Sequence, residues 1–367
     1  MRIAQVAPLY GSVPPKLYGG TERIVSYLTE ELVADGHDVT LFASADSLTK
    51  ARLIPMSERA LRLGSKNLID PLASHIRMIE IVAREAQKFD IIHFHIDYLH
   101  FPSSRRQCIP SVTTLHGRLD IPELWPLYSE FRDIDLVSIS NSQRKPIPWA
   151  NWAATIYHGL PKHLLDPTLE AGKYLAFLGR ISPEKRVDRA IEIARQAGVP
   201  IKIAAKVDPV DQAYFDCTVR GLLDDPLVEF VGEISESQKS EFLGNARALL
   251  FPIDWPEPFG VVMIEALACG TPVVAYPKGA VPEIIEDGVS GYLVETIQEG
   301  VEAVGNLSKL DRGECRRVFE QRFSARRMCR DYLNVYKRLC GRPAFQESTS
   351  AASADSPPAR QSEIHAT

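Results

Sequence analysis

Short apolar runs alternate with segments of helical periodicity along nearly the whole chain. One series of runs lies at residues 3–7, 38–42, 91–95, 111–115, 136–140 and 155–157. A second lies at 174–178, 201–205, 228–231, 248–251, 272–275 and 291–294. Short, near-continuous apolar runs read as strands buried on both faces. Between them, residues 21–34 place Ile24, Leu28 and Leu32 on one face with Gly36 just beyond, which predicts a helix that stops near the glycine. Strands alternating with helices predict an α/β fold of parallel sheets with helices on both faces. Pro161, Asp166-Pro167 and Gly172 interrupt the periodicity. The two series therefore predict two doubly wound, Rossmann-like domains, 1–165 and 166–324. A last helix is expected over 325–341, carrying Met328, Tyr332, Val335, Tyr336 and Leu339. The Ser-, Ala-, Pro- and Gln-rich residues 342–367 are expected to be disordered.

Composition adds limits. The 367 residues suit two domains of about 150–200 residues each, and 45% hydrophobic content supports a core in both. A formal charge of -5 argues against a dedicated nucleic-acid binder. Basic residues gather at Lys50, Arg52, Arg59, Arg62 and Lys66 and again at Arg105 and Arg106, and a solvated face is the plainer account of them. Six cysteines without paired spacing fit reduced thiols. The N-terminal residues read as a first strand rather than a signal segment, and no run approaches 18 apolar residues. A cytoplasmic protein is expected.

Candidate chemistry concentrates between Pro256 and Ala275. The loop Pro256-Glu257-Pro258-Phe259-Gly260 cannot continue a helix through its prolines. Val261, Ile264, Leu267 and Ala268 then recur at helical spacing until Gly270-Thr271-Pro272. Glu257 thus stands at the mouth of a helix whose first amides are free, and Glu265 lies about two turns deeper. Amides for ligand oxygens and carboxylates for hydroxyl groups suit a nucleotide-sugar. In Leu178-Gly179-Arg180-Ile181-Ser182-Pro183-Glu184-Lys185, a strand ends in glycine and two cations follow, an arrangement that suits a diphosphate. Gly19 and Gly20 precede a helix and can bring amides close to phosphate oxygens. His116, in Thr113-Thr114-Leu115-His116-Gly117, follows a strand and should face a cleft.

The Glu257–Glu265 stretch resembles the E-x7-E signature of family 4 retaining glycosyltransferases of GT-B fold, and the likeness covers residues 1 to about 340. Leu178 to Arg186 looks like the G-R-x-x-x-E-K element of that family. The resemblance implies two Rossmann-like domains facing each other across a cleft. The acceptor would lie on the first and the nucleotide-sugar on the second, with the last helix crossing back to the first. It implies Glu257, His116, Arg180 and Lys185 as catalytic residues. Donor contacts would come from Gly19, Gly20, Gly179, Arg180, Lys185, Gly232, Ile234, Glu257, Phe259, Gly260 and Glu265. Glu257 would meet the sugar hydroxyls, Glu265 the ribose, and Val231-Gly232-Glu233-Ile234 the base. UDP-glucose is the default donor and GDP-mannose the next, with a hydroxyl acceptor left open. No cofactor or metal is implied, because helix N-termini, Arg180 and Lys185 can supply the charge. Lipid-modifying relatives also dock on membranes, which would give the basic residues a peripheral contact.

Other readings are weaker. His93, His95 and Asp97 share a strand face in the manner of a metallo-hydrolase motif, but Tyr98 replaces the final histidine. The same residues could instead touch the acceptor. A nucleotide-sugar 2-epimerase lacks its signature acidic and histidine positions, and a non-catalytic binding module would not need competent residues at every core position. A dinucleotide fingerprint is missing. Two departures from the family pattern bear on the acceptor: His158 stands where many relatives carry Asn, and the 140–145 segment holds a position whose basic residues vary.

Overall fold

The computed structural model describes residues 1–16, 19–62, 70–170 and 172–341. Tyr18, Lys66 and the 342–367 tail lie outside the described residues.

Two parallel sheets form the frame. The first has the order β3-β2-β1-β4-β5-β6-β7. Its strands are β1 Arg2–Val6, β2 Asp38–Ser44, β3 Arg52–Ser57, β4 Ile91–Phe94, β5 Ser111–Thr114, β6 Leu136–Ser138 and β7 Trp152–Thr155. The second has the order β10-β9-β8-β11-β12-β13. It comprises β8 Tyr174–Ile181, β9 Ile201–Val207, β10 Val228–Phe230, β11 Ala246–Phe251, β12 Val273–Ala275 and β13 Gly291–Leu293. Every pairing in both sheets is parallel. Buried strand faces require this, because helices cover both sides.

Twelve of the strands were expected, with ends displaced by a few residues; the run at 155–157 is observed as Trp152–Thr155. The exception is β3. Pro55 and the basic residues around it hide the pattern, and the strand pairs with β2 alone, at an edge where a proline is tolerated. The helix Gly20–Ala34 buries Ile24, Leu28 and Leu32, as its spacing requires. The sequence reading also missed the helix Pro71–Glu85. Its Asp70 side chain accepts from the Leu72 amide at 2.8 Å, and His75, Met78, Ile79 and Val82 face inward.

The helix Ala325–Cys340 has returned to the first domain. It packs on the helix Gly20–Ala34, buries Tyr332 and Tyr336 completely, and sets the Tyr336 hydroxyl 3.1 Å from the Gln5 amide nitrogen in β1. Among the described residues no helix is long and apolar enough to cross a membrane.

Candidate active site

In each sheet the strand order reverses once, between β1 and β4 and between β8 and β11. Ligands in such sheets sit beyond the carboxyl ends of the strands at these points. Here both points open on one cleft of about 900 Å³. Tyr10, His95 and Asp97 line it from the first domain, and Gly179, Arg180 and Phe251 from the second.

Glu257 is held at the cleft wall by its neighbours. Gly279, at φ 62°, lies so close that a Cβ there would come within 2.3 Å of the Glu257 backbone nitrogen, and the Ala280 amide donates to the Glu257 carbonyl at 2.9 Å. A side chain at Gly279 would push the loop away. The Glu257 carboxylate accepts from the Lys185 ammonium, and from Trp255 Nε1 at 3.1 Å. Lys185 in turn stands 4.9 Å above the Trp255 ring and 5.5 Å above that of Phe251. A paired, water-poor carboxylate and ammonium meet at one spot. Gly260, at φ 84°, turns the chain into the helix Val261–Ala268; the Met263 amide donates to the Gly260 carbonyl at 3.0 Å, and the amides of Val261 and Val262 before it have no intrahelical acceptors.

Glu265 lies about one turn into that helix, fully enclosed. Burial opposes its charge, but Lys239 at 2.6 Å and Arg23 at 3.3 Å outweigh this and hold its carboxyl below the usual range. Glu236 completes the group, 2.7 Å from Arg23 and 3.1 Å from Lys239. Neither approach to Glu236 has hydrogen-bond direction, so ion pairing alone holds it. Arg23 belongs to the first domain and the other three residues to the second, so the group spans the cleft.

His116 follows β5. Its Nε2 lies 2.9 Å from His95 Nδ1, its ring stacks on His158 with centroids 5.3 Å apart, and its buried Nδ1 has no partner. Burial pulls its pKa down to about 3, so the ring is neutral at ordinary pH. Asp97 lines the cleft in a left-handed conformation at φ 50°, and burial pushes its pKa up to about 6.

The structure brings most of the expected site residues together. Gly19, Gly20, His116, Gly179, Arg180, Lys185, Ile234, Glu257, Phe259, Gly260 and Glu265 all line the one cleft. Gly232 does not. At φ 82° it turns the chain so that Glu233 and Ile234 reach the wall, while its carbonyl accepts from the Ala205 amide at 2.9 Å. Arg180 lines the cleft with its guanidinium engaged by Glu184 at 2.7 Å, Asp211 at 3.3 Å and Asp208 at 3.7 Å. Sequence reasoning gave no role to Lys239, Glu236 or Arg23, although Arg23 lies two positions beyond Thr21 in the glycine-rich turn. Glu283 stands outside the cleft lining. It accepts from the amides of Asn141 at 2.8 Å and Ser142 at 2.7 Å and from the Tyr157 hydroxyl at 3.0 Å, tying the second domain to the first. No group of three or more His, Cys, Asp or Glu able to hold a metal occurs among the described residues.

Two doubly wound parallel domains closing on a shared cleft are the architecture of a GT-B glycosyltransferase. Residues 18–168 match the family model Glycosyltransferase Family 4, and residues 167–320 match Glycosyl transferases group 1. The chain is a family 4-like glycosyltransferase. A glycosyltransferase of Methanocaldococcus jannaschii is 23% identical to it over 395 residues, 92% of this chain and 98% of that one. The D-inositol 3-phosphate glycosyltransferase of Mycolicibacterium smegmatis is 35% identical over 179 residues, 44% of this chain and 39% of its own. The structure of Anabaena HepE in complex with UDP-glucose has the same fold, with a TM-score of 0.69 at 18% identity over 92% of this chain and 100% of that one.

Proposed function

We propose that the protein transfers a hexose from a nucleoside-diphosphate sugar, UDP-glucose first and GDP-mannose second, to a hydroxyl acceptor with retention of configuration. The observation that carries this reading is the Lys185–Glu257 pair at the mouth of the helix Val261–Ala268, in one cleft with His116 and Glu265. Lys185 meets the diphosphate, joined by Arg180 as it exchanges carboxylate partners for phosphate oxygens, and both stabilise the charge that develops on the leaving group. Glu257 and the amides of Phe259 and Gly260 receive the sugar, and Glu265 receives the ribose. The acceptor hydroxyl attacks from the face the diphosphate leaves. Its oxygen bonds to the anomeric carbon as the bond to the diphosphate breaks, and its proton passes to the departing phosphate oxygen. No metal is needed in this scheme, because the cations and helix amides supply the positive field. The complex of HepE with UDP-glucose supports the choice of uridine donor.

The test is a thermal-shift panel of UDP, GDP and ADP with their glucose, galactose and mannose conjugates, without added metal. Transfer is then assayed on a hydroxyl panel that includes D-inositol 3-phosphate, the compound named for the Mycolicibacterium relative. Stabilisation by a uridine or guanosine sugar and an axial product linkage from an axial donor support the reading. Inverted product overturns the retaining mechanism, and indifference to every nucleotide-sugar overturns the function.

A further inference from the structure

A chain of buried hydrogen bonds runs from the returning helix to the cleft. Tyr332 Oη lies 2.8 Å from Thr114 Oγ1, which lies 2.7 Å from His93 Nε2. His93 Nδ1 is 2.7 Å from Tyr336 Oη, and that hydroxyl is 3.1 Å from the Gln5 amide. The other end of the amide is 2.9 Å from His95 Nε2, and His95 Nδ1 is 2.9 Å from His116 Nε2. The chain ends at His116 Nδ1, buried against the cleft and unpartnered.

Each member of this chain passes on one proton direction. A hydroxyl that accepts on one side donates on the other, and a neutral imidazole carries one N–H and one lone pair. Burial keeps His93, His95 and His116 neutral, which makes the tautomer the only freedom left to each ring. Two proton orders are then possible. If the donors point away from the cleft, the series ends on the Tyr332 O–H, inside the core, where Thr114 is its one hydrogen-bonding neighbour among the described residues and is already donating to it. If they point towards the cleft, Tyr332 donates to Thr114, Thr114 to His93, His93 to Tyr336, Tyr336 to Gln5, Gln5 to His95 and His95 to His116. The second Gln5 N–H takes no part in either order, and no relaying donor is then left inside the core. The terminal N–H of the relay is His116 Nδ1–H, where a ligand can satisfy it. In the free protein each order leaves one donor unpaired, but the Tyr332 O–H is sealed in the core, whereas His116 is half-buried at the cleft wall and its N–H gains a partner when a ligand oxygen binds, a difference of about 1–3 kcal/mol in favour of the second order. The second order turns the Gln5 amide so that its oxygen meets Tyr336 and its nitrogen meets His95, a half-turn that exchanges two groups of equal size.

We infer that the Tyr332–Thr114–His93–Tyr336–Gln5–His95 relay fixes His116 in the Nδ1–H tautomer, presenting a hydrogen-bond donor to an acceptor oxygen of the bound sugar. Gln5, His93, His95, Tyr332 and Tyr336 are then positioning residues. The inference rests on the proposed function for the identity of the ligand, but not for the tautomer itself. An N–H at this spot selects for an oxygen lone pair on the ligand and leaves that hydroxyl's own proton free for another partner. It also ties the donor cleft to a helix that enters the domain from the far end of the chain.

The test uses the full chain with 15N-labelled histidine in long-range 15N–1H correlation spectra at pH 7.5 without nucleotide, the His116 signals being assigned by their loss in His116→Gln. The expected result is a protonated Nδ1 and an unprotonated Nε2 at His116. Protonation of Nε2 instead would falsify the inference. In Tyr336→Phe, which removes a hydroxyl three hydrogen bonds from His116 in the order given above, the Nε2–H tautomer of His116 should appear at a tenth or more of the population. A variant that keeps its thermal midpoint and an unaltered His116 tautomer would show that the relay does not set it. UDP-glucose is added last. His116 resonances that hold the expected tautomer but ignore UDP-glucose would leave the relay standing and overturn the donor assignment.

Discussion

Arg23 of the first domain and Glu265 of the second pair across the cleft at 3.3 Å, so the carboxylate read as the ribose ligand also helps to close the empty protein. A donor that takes up Glu265 must share it with Arg23 and Lys239. Arg23→Ala leaves Glu265 with Lys239 alone. It should cost on the order of 1–3 kcal/mol of stability and raise the donor KM about tenfold. Urea unfolding and initial rates at varied donor concentration check both, and an unchanged KM would separate the pair from donor binding.

Lys185 and Glu257 neutralise each other in a nearly dry corner, so removal of either strands its partner. Glu257→Ala and Lys185→Ala should each lower transfer at least about 100-fold while circular dichroism stays native. Turnover near that of the wild type in either variant would sink the site assignment.

Glu283 satisfies two amides at the start of the short helix Asn141–Arg144 together with the Tyr157 hydroxyl, all in the opposite domain. Hydrogen bonds to a carboxylate are worth about 1.5–3 kcal/mol each. Glu283→Ala should therefore open the cleft, seen as a larger radius of gyration in solution scattering, and slow transfer about tenfold. Unaltered scattering together with full activity would assign the clasp no part in closure.

The buried histidines make stability depend on pH. His93, His95, His100, His116 and His158 all have pKa values depressed by burial, so the unfolded chain takes up protons that the folded one refuses. Their contribution is complete above the unfolded pKa of about 6.5 and is lost as pH falls below it. Each fully neutral ring adds up to about 1.4 kcal/mol per pH unit to that slope. Urea midpoints measured from pH 7.5 to 5 should fall steeply, and a flat profile would mean that the rings are solvated.

Local chemistry was the readable part of the sequence. Pro258, Gly260 and the apolar spacing after them dictate a loop and a helix wherever they occur, so Glu257 and Glu265 could be placed before the fold was known. What stayed hidden depends on distance along the chain. Arg23 and Lys239 are ordinary helix cations until domain apposition brings the one, and the folding of the second domain the other, beside Glu265, 242 and 26 positions away. Period-two spacing put His93 and His95 on one strand face and suggested a metal. Their real partners, Tyr336, Thr114, Gln5 and His116, come from other strands and from the last helix. The edge strand β3 was missed because its proline and flanking charges are what an edge tolerates.

The return of the helix Ala325–Cys340 has a consequence for synthesis. The first domain leaves the ribosome first, yet the hydroxyls that complete its core, on Tyr332 and Tyr336, are among the last residues of the described chain to emerge. Until then Gln5, His93 and Thr114 lack their partners, and buried polar groups without partners disfavour tight packing. Early folding is thus provisional, and the first domain becomes native only after the second has been made.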